Sequence, residues 1–508
     1  MDGEAVVVPE SAGSLLEALR DHVGARTPKD GCSPQGQCGC CTVLVDGSPR
    51  VACVTPVRRV AGRRITTIAG LAPEDRAAWA EAFCATGASQ CGFCTPGIIV
   101  RLAGLRAKGG EDDAAVGRAL SAHLCRCTGW RTIYDAWTAV GQGASSHPRD
   151  LGAASRRATI EGRSPQRVAP EVALGEGGFA DDTAPLDALV AVPDGRGDWS
   201  VGETLAEARA AAGKVQGRRT TAAVEPPLAL PDGDWATTLR TSWVEPAYLE
   251  TDAAWCAPGG EPATPLANGG AFGAKVTSPV TGVARTLADR HGRAVRVLLS
   301  REDTVRMGPK RPPIAAGVRR DGSGVVRAVA TPGLAEILAA VAPELVLEAV
   351  SLAGPPTSVD IRAAGWAEVA LLRAGLAGVA GPVHSPDGAT AEASVADGRI
   401  SVQVRCGDPL DEVVLRSYCT GAAHMALGWV TSEGLAVDED GTVHDLTIRS
   451  FGIVRAADTP VVEVDIEPDT GPPVNGSDAV FAAVAAAVWV ARGCPTDLPD
   501  TVRGRRGG

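Results

Sequence analysis

Aromatic side chains are scarce in this chain: 10 Trp, 6 Phe and 3 Tyr make up 4% of 508 residues. A core must therefore be built from Val, Leu, Ile and Ala, and the 45% hydrophobic content is enough to do so. Positive charge is also in deficit. There are 49 Lys and Arg against 60 Asp and Glu, a net charge of −11, which argues against a broad basic face for nucleic acid. The short runs Arg58-Arg59 and Arg63-Arg64 read as solvated surface. No apolar run reaches the roughly 18 residues of a membrane span. The opening MDGEAVVVPE lacks the basic-then-apolar order of a signal peptide. The expected location is cytoplasmic, where disulfides are rare. Histidine is sparse, with 7 residues, and no pair has metal-ligand spacing. His123 and His424 read as helix residues.

Cysteine is what the chain has in excess, with 14 residues. Ten lie before residue 128, whereas Cys256, Cys406, Cys419 and Cys494 are scattered and read as small buried hydrophobes. The length allows several domains. Residues 1–75 read as short strands, turns and one helix, SLLEALRDHV, with strands at TVLVDG and RITTI. Residues 76–140 read mainly as helix, broken at Gly109-Gly110 and restarted at Asp112. Residues 141–170 are polar and rich in Gly, Ser and Arg, which reads as a linker. Residues 171–508 read as α/β, with strands ALVAVP, AVRVLLS, RISVQVRC and VVEVDI and helices ETLAEARAAAGKV and DAVFAAVAAAVWVA.

The first cysteine motif is GCSPQGQCGCCTVLVDG, with Cys32, Cys38, Cys40 and Cys41, followed by Cys53. A glycine-rich loop can wrap an iron–sulfur cluster and aim N–H groups at its sulfurs. Plant-type ferredoxins space the ligands C-x4-C-x2-C with a distant fourth cysteine. Cys38 and Cys41 supply the C-x2-C and Cys53 the distant fourth, while Cys32 stands one residue too far away. Gly36 can absorb the extra residue, and Cys40 offers an exchange ligand. The bland alternative is a zinc site of four thiolates. The second motif joins QCGFCTPGIIV, with Cys91 and Cys94, to LCRCTGW, with Cys125 and Cys127. The two pairs converge if their helices pack together.

QCGFCTPG and CRCTG resemble the iron–sulfur part of the xanthine dehydrogenase / aldehyde oxidase family of molybdenum hydroxylases. The resemblance implies an α+β multidomain chain. A β-grasp ferredoxin domain (1–75) and a helical-bundle domain (76–140) would each hold one [2Fe–2S] cluster, ahead of an α/β molybdopterin-binding-like domain (171–508). It places the first cluster on Cys32, Cys38, Cys41 and Cys53 and the second on Cys91, Cys94, Cys125 and Cys127. Gln90 and Cys127 match positions that approach the molybdopterin in the family.

Later segments extend the resemblance. GEGGFADDTAPLDALVAVP, VEPAYLETDAAWC, NGGAFGAK, VRVLLSREDTVRMGPKRPP, GAAHMALGWVTSEGLAVDEDGTVHDL and RSFGIVRAADTPVVEVDI are similar to stretches of the molybdopterin subunit. In NGGAFGAK, the implied cofactor-binding residues are Gly269, Gly270, Phe272 and Gly273, because glycine permits close backbone approach. RAAGWAE keeps Arg362 and Gly365 of the family's Arg-Gly-Phe-Gly loop. The departures are specific. The molybdopterin subunit of the family is about twice as long. Val276 stands where purine-oxidising members carry a carboxylate. Ser477, in PVNGSDAVFAAVAAA, stands at the catalytic glutamate, and a serine without a partner is no base near neutral pH. Asp478 is the neighbouring catalytic candidate, with a helix N-cap as its alternative role.

The implied function is an oxidoreductase. Electrons from an N-heterocycle or aldehyde would pass through two [2Fe–2S] clusters to an external acceptor, with a flavin, if used, on a partner subunit. The rival is a non-catalytic electron-transfer or assembly subunit with a degenerate molybdopterin region. Colour separates metal classes at once: iron–sulfur thiolates give a brown protein with visible absorption, and zinc thiolates a colourless one.

Overall fold

The fold was analysed in a computed structural model that describes residues 1–9, 12–110, 112–142, 149–213, 222–263, 270–275, 278–444 and 446–500. The first part holds a three-stranded antiparallel sheet, β1 (Thr42–Val45), β2 (Ser48–Val51) and β3 (Ile65–Thr66), in the order β2-β1-β3. An Asp46-Gly47 turn with both φ positive closes the β1–β2 hairpin, as Asp-Gly turns do. The expected helix at SLLEALRDHV forms as one short α turn, Leu15–Glu17, continued as a wider π turn through His22.

Helices follow. α1 (Pro73–Thr86) begins on Pro73 with Glu74 and Asp75 in its first turn and ends at Gly87, whose φ of 69° needs no Cβ. α2 (Thr95–Arg106) also carries its proline in the first turn. α3 (Asp113–Ala119) is capped by Asp112, which accepts from Ala115 N at 2.6 Å. It stops before His123, shorter than the periodicity suggested. α4 (Arg131–Gln142) packs on α1 through Trp137 and Trp79, 6.0 Å between ring centroids, with the Arg106 guanidinium 4.4 Å from the Trp137 ring.

The segment read as a linker contains α5 (Leu151–Gly162), capped by Asp150. Ala153, Ala154 and Ala158 form a small buried face, and Arg157 and Glu161 are completely buried beside it. Alanine-rich helices bury little apolar area per residue, so hydrophobic periodicity understated this one.

The rest is mixed sheet and helix. One sheet runs Trp199–Gly202, Leu189–Pro193, Val295–Leu298, Ala253–Cys256. A five-stranded sheet centres on Ile314–Val318, buried on both faces. A third contains Arg399–Arg405, whose residues alternate strictly between exposed and buried. Two long helices, α6 (Glu412–Thr431) and α7 (Ser477–Ala491), pack together, with Trp429 stacked on Phe481 at 5.4 Å. One continuous core includes side chains of α2, α4, α6 and α7.

Arg126, between Cys125 and Cys127, fastens the helical part to the remainder. Its guanidinium, 2% exposed, forks onto Glu433 at 2.5 and 2.8 Å and donates to Pro246 O at 2.7 Å. Arg126→Met leaves a buried unpaired carboxylate. We expect a loss of about 3–5 kcal/mol in denaturant unfolding, largely recovered in Arg126→Met/Glu433→Met.

Candidate functional site

The β1–β2 hairpin folds Cys53 back over Cys41, and Cys53 N–H donates to Cys41 Sγ at 3.4 Å. Gln37 N–H donates to Cys32 Sγ at 3.4 Å. The Cys32 thiol lies within hydrogen-bonding reach of Cys38 and Cys53, which draw its pKa well below the usual thiol range. Cys53 in turn reaches Cys32 and Cys41, and its own pKa is pushed up. Four buried sulfurs sharing protons, with backbone N–H groups aimed at them, are the donor set of a thiolate-bound metal. The chemistry of the residues fits an iron–sulfur cluster.

The second quartet forms at two helix ends. Cys94 precedes the first residue of α2, and Cys125 and Cys127 lie in the loop entering α4. The sulfurs fall into two pairs. Cys127 and Cys91 are 3.7 Å apart, and Cys94 meets Cys125. A 3.7 Å separation is close to the edge of a tetrahedron with metal–sulfur bonds of about 2.3 Å. Two pairs suit two irons. The Cys125 pKa is drawn down to about 6 by hydrogen bonding from Cys94, with a further contact to Thr128 Oγ1 at 3.2 Å. Among the described residues no three His, Cys, Asp or Glu converge as ligands of a single ion.

The two quartets touch. Leu124 N–H donates to Cys38 O at 2.9 Å, and Thr42 Oγ1 lies 3.1 Å from His123 Nε2. A Cβ on Gly97, in the first turn of α2, would fall 2.4 Å from Gly39 O. Glycine is required there for the helix to rest on the ligand loop. Cys40 is fully buried at this junction, where its thiol feels Cys41 and Cys125 as well as Cys38. On the other side, Cys53 and Phe93 line a cavity of about 420 Å³ shared with Arg20, Arg296 and Glu302.

The expected cofactor residues gather around Cys127. Gln90 Nε2 donates to Cys127 O at 3.1 Å and to Ser417 Oγ at 2.9 Å, while its buried Oε1 has no donor among the described residues. Gly269 lies outside the described residues, as does Val276. Gly270 has φ 92°, and a Cβ there would meet Arg126 Cγ at 2.8 Å and Cys127 Sγ at 3.3 Å. Gly273 is equally constrained, by Asp360 O at 2.3 Å from its Cβ position. Phe272 lies between them, with the Arg362 guanidinium 3.7 Å from its ring centroid and Tyr418 edge-on at 6.2 Å. The structure thus brings Gln90, Gly270, Phe272, Gly273 and Arg362 into one buried region. The orphaned acceptor on Gln90 fits an N–H donor of the kind a pterin carries, while Gly270 and Gly273 admit the close approach of Arg126, Cys127 and Asp360.

Arg362 extends this region to α7. Its Nη2 donates to Ser477 Oγ at 3.0 Å and its Nε lies 3.1 Å from Asp478 Oδ1. Asp478 is also paired with Arg163. It is the second residue of α7 and not its N-cap, which is Gly476. Asn475 Oδ1 accepts Asp478 N–H at 2.9 Å instead. The N-terminus of α7 is met by a residue the sequence reading missed. Glu161 accepts Gly476 N–H at 3.0 Å and Ser477 N–H at 2.9 Å. The available signal was the Arg157–Glu161 pair at helical spacing beside an alanine face.

His424 is buried near Gly129, with Nε2 3.0 Å from Val454 O, so this nitrogen carries the proton. Burial pushes its pKa down to about 4. The folded state prefers the neutral ring, so its contribution is complete above about pH 6.5 and is lost as the pH falls toward 4. Relative to His424→Gln, the native chain should lose on the order of 3 kcal/mol across that window in denaturant unfolding at stepped pH.

Comparison with known proteins places these features. Residues 67–138 match the [2Fe-2S] binding domain family. Over 139 residues the chain is 37% identical to the nicotinate dehydrogenase small FeS subunit of Eubacterium barkeri, covering 27% of this chain and 88% of that subunit. It is 42% identical over 127 residues to the aldehyde oxidoreductase of Megalodesulfovibrio gigas, but that match spans 24% of this chain and only 14% of that protein. The solved aldehyde oxidoreductase from Desulfovibrio gigas superposes with a TM-score of 0.70 over 98% of this chain and 97% of that one, at 14% identity, a likeness of fold.

Proposed function

Because this chain belongs to the xanthine dehydrogenase / aldehyde oxidase family of molybdenum hydroxylases, we propose that it relays electrons between two cysteine-bound clusters and an external acceptor. One observation carries the reading: two buried cysteine quartets share a direct backbone contact, Leu124 N–H to Cys38 O at 2.9 Å. Cys32, Cys38, Cys41 and Cys53 would hold the first cluster, and Cys91, Cys94, Cys125 and Cys127 the second. Gln90, Gly270, Phe272, Gly273 and Arg362 would hold molybdopterin. Bound there, these groups supply two-electron oxidation of a substrate at molybdenum and one-electron transfer at iron.

The protein's own part is placement and electrostatics. Gln90 anchors the Cys127 carbonyl and leaves one acceptor for a ligand N–H. Arg362 presents a cation to the region while its charge is balanced by Asp478. Cys40 and Leu124 are buried at the contact between the quartets, which limits solvent access there. The substrate class is an N-heterocycle or aldehyde, and the acceptor is external or a flavin-bearing subunit.

The second reading, a non-catalytic electron-transfer or assembly subunit, rests on two residues. Ser477 replaces the glutamate, and the Asp478 carboxylate is engaged by two arginines. Metal analysis of anaerobically purified protein separates the two. One molybdenum per about four irons supports the hydroxylase reading, and iron alone the electron-transfer reading. In either case Cys94→Ser should lose about half the iron and one of two cluster EPR signals, leaving the other. Loss of neither would refute the ligand assignment.

A further inference from the structure

The first ligand loop carries one residue more than plant-type ferredoxin spacing, and the structure shows what that loop does. Gln35 and Gln37 reach out of it to a distant segment. Gln35 Nε2 donates to Leu446 O at 3.2 Å, and Gln35 Oε1 accepts Ile448 N–H at 3.3 Å. Gln37 Oε1 accepts Arg449 N–H at 3.1 Å. The Arg449 guanidinium then donates back to Gln37 O at 3.2 Å and to Ser121 O at 3.4 Å. It has no carboxylate partner among the described residues; burial and the neighbouring Arg455 lower its pKa, and the negative charges that oppose them are those of Cys32 and Cys38.

The carbonyl of Gln37 and the N–H of Cys38 belong to one peptide group. The N–H of Gln37 donates to Cys32 Sγ at 3.4 Å, and the Cys38 N–H lies close enough to the same sulfur to help hold its pKa down. A cation on the carbonyl polarises the peptide and strengthens donation from its N–H to sulfur. Reduction adds one electron, hence one negative charge, to a cluster already anionic on four thiolates. A fixed positive charge and stronger N–H donors both favour the reduced form.

We propose that Arg449, contributed by the C-terminal part of the chain, raises the reduction potential of the cluster held by Cys32 and Cys38 and so draws electrons out of the second quartet. Arg449 is a positioning residue that acts through Gln37. The inference rests on the two-cluster reading above.

The test is an EPR-monitored redox titration of the full chain. Arg449→Gln should lower the midpoint potential of one cluster by about 59 mV, a tenfold change in its one-electron equilibrium, and leave the other cluster in place. Arg449→Lys should retain most of the native potential. An unchanged potential in Arg449→Gln with both clusters present overturns the proposal. So does an equal fall in the lysine variant, which would make geometry and not charge the cause. If Arg449→Gln loses iron, the comparison moves to Arg449→Lys and Gln37→Glu. The added carboxylate beside the guanidinium should lower the same potential, and no fall there overturns the proposal. A native protein lacking two cluster signals would instead refute the two-cluster reading.

Discussion

The bidentate ion pair between Arg126 and Glu433 is the constraint around which the molecule is organised. Arg126 sits between Cys125 and Cys127, so its rotamer, its partner and the direction of the Cys125–Cys127 backbone are set together. A buried arginine needs its charge met and its five donors used. Glu433 follows α6, and Pro246 O belongs to the segment leading to Tyr248, so satisfying one guanidinium draws three distant stretches together. Gly270 then packs against the Arg126 stem, which brings the glycine-rich loop to Cys127. The proposed cofactor region is a consequence of that anchor.

A similar logic governs the contact between the two quartets. Gly39 and Gly97 face each other because neither position has room for a Cβ: His123 blocks one and the ligand-loop backbone the other. The approach of loop to helix brings eight thiols into one apolar volume. Burial raises the cost of every unpaired thiolate, so sharing of protons, or their replacement by metal, is what makes such a volume stable. The same low dielectric lets an outlying cation such as Arg449 act on sulfur through a single peptide group.

The start of α7 shows how a helix N-terminus recruits a carboxylate from elsewhere in the chain. Ser477 opens the helix, and a carboxylate arrives from another element: Glu161 of α5 takes the Gly476 and Ser477 N–H groups. Anions are favoured at helix N-termini because the unpaired N–H groups and the dipole point there. Two arginines on Asp478 complete a local balance of charge.

Cysteine spacing, glycine in the ligand loops and the QCGFCTPG and CRCTG strings were enough, without coordinates, to identify the family and the kind of metal centre. Such centres need particular residue types at short, local separations, and local separations are visible in a sequence. Regular strands such as Arg399–Arg405 were legible for the same reason, because alternation is a local property. Tertiary structure decided the rest. It showed helix where a polar linker was expected, because alanine faces carry little hydrophobic signal. It placed Asp478 inside an arginine pair and off the cap, because helix starts depend on what packs against them. It also joined Arg126 to Glu433 and Gln37 to Arg449, pairs separated by about three hundred and four hundred residues. Long-range polar contacts of this kind leave no periodic trace along the chain. Their partners are chosen only when the core has closed and each buried charge must find its opposite.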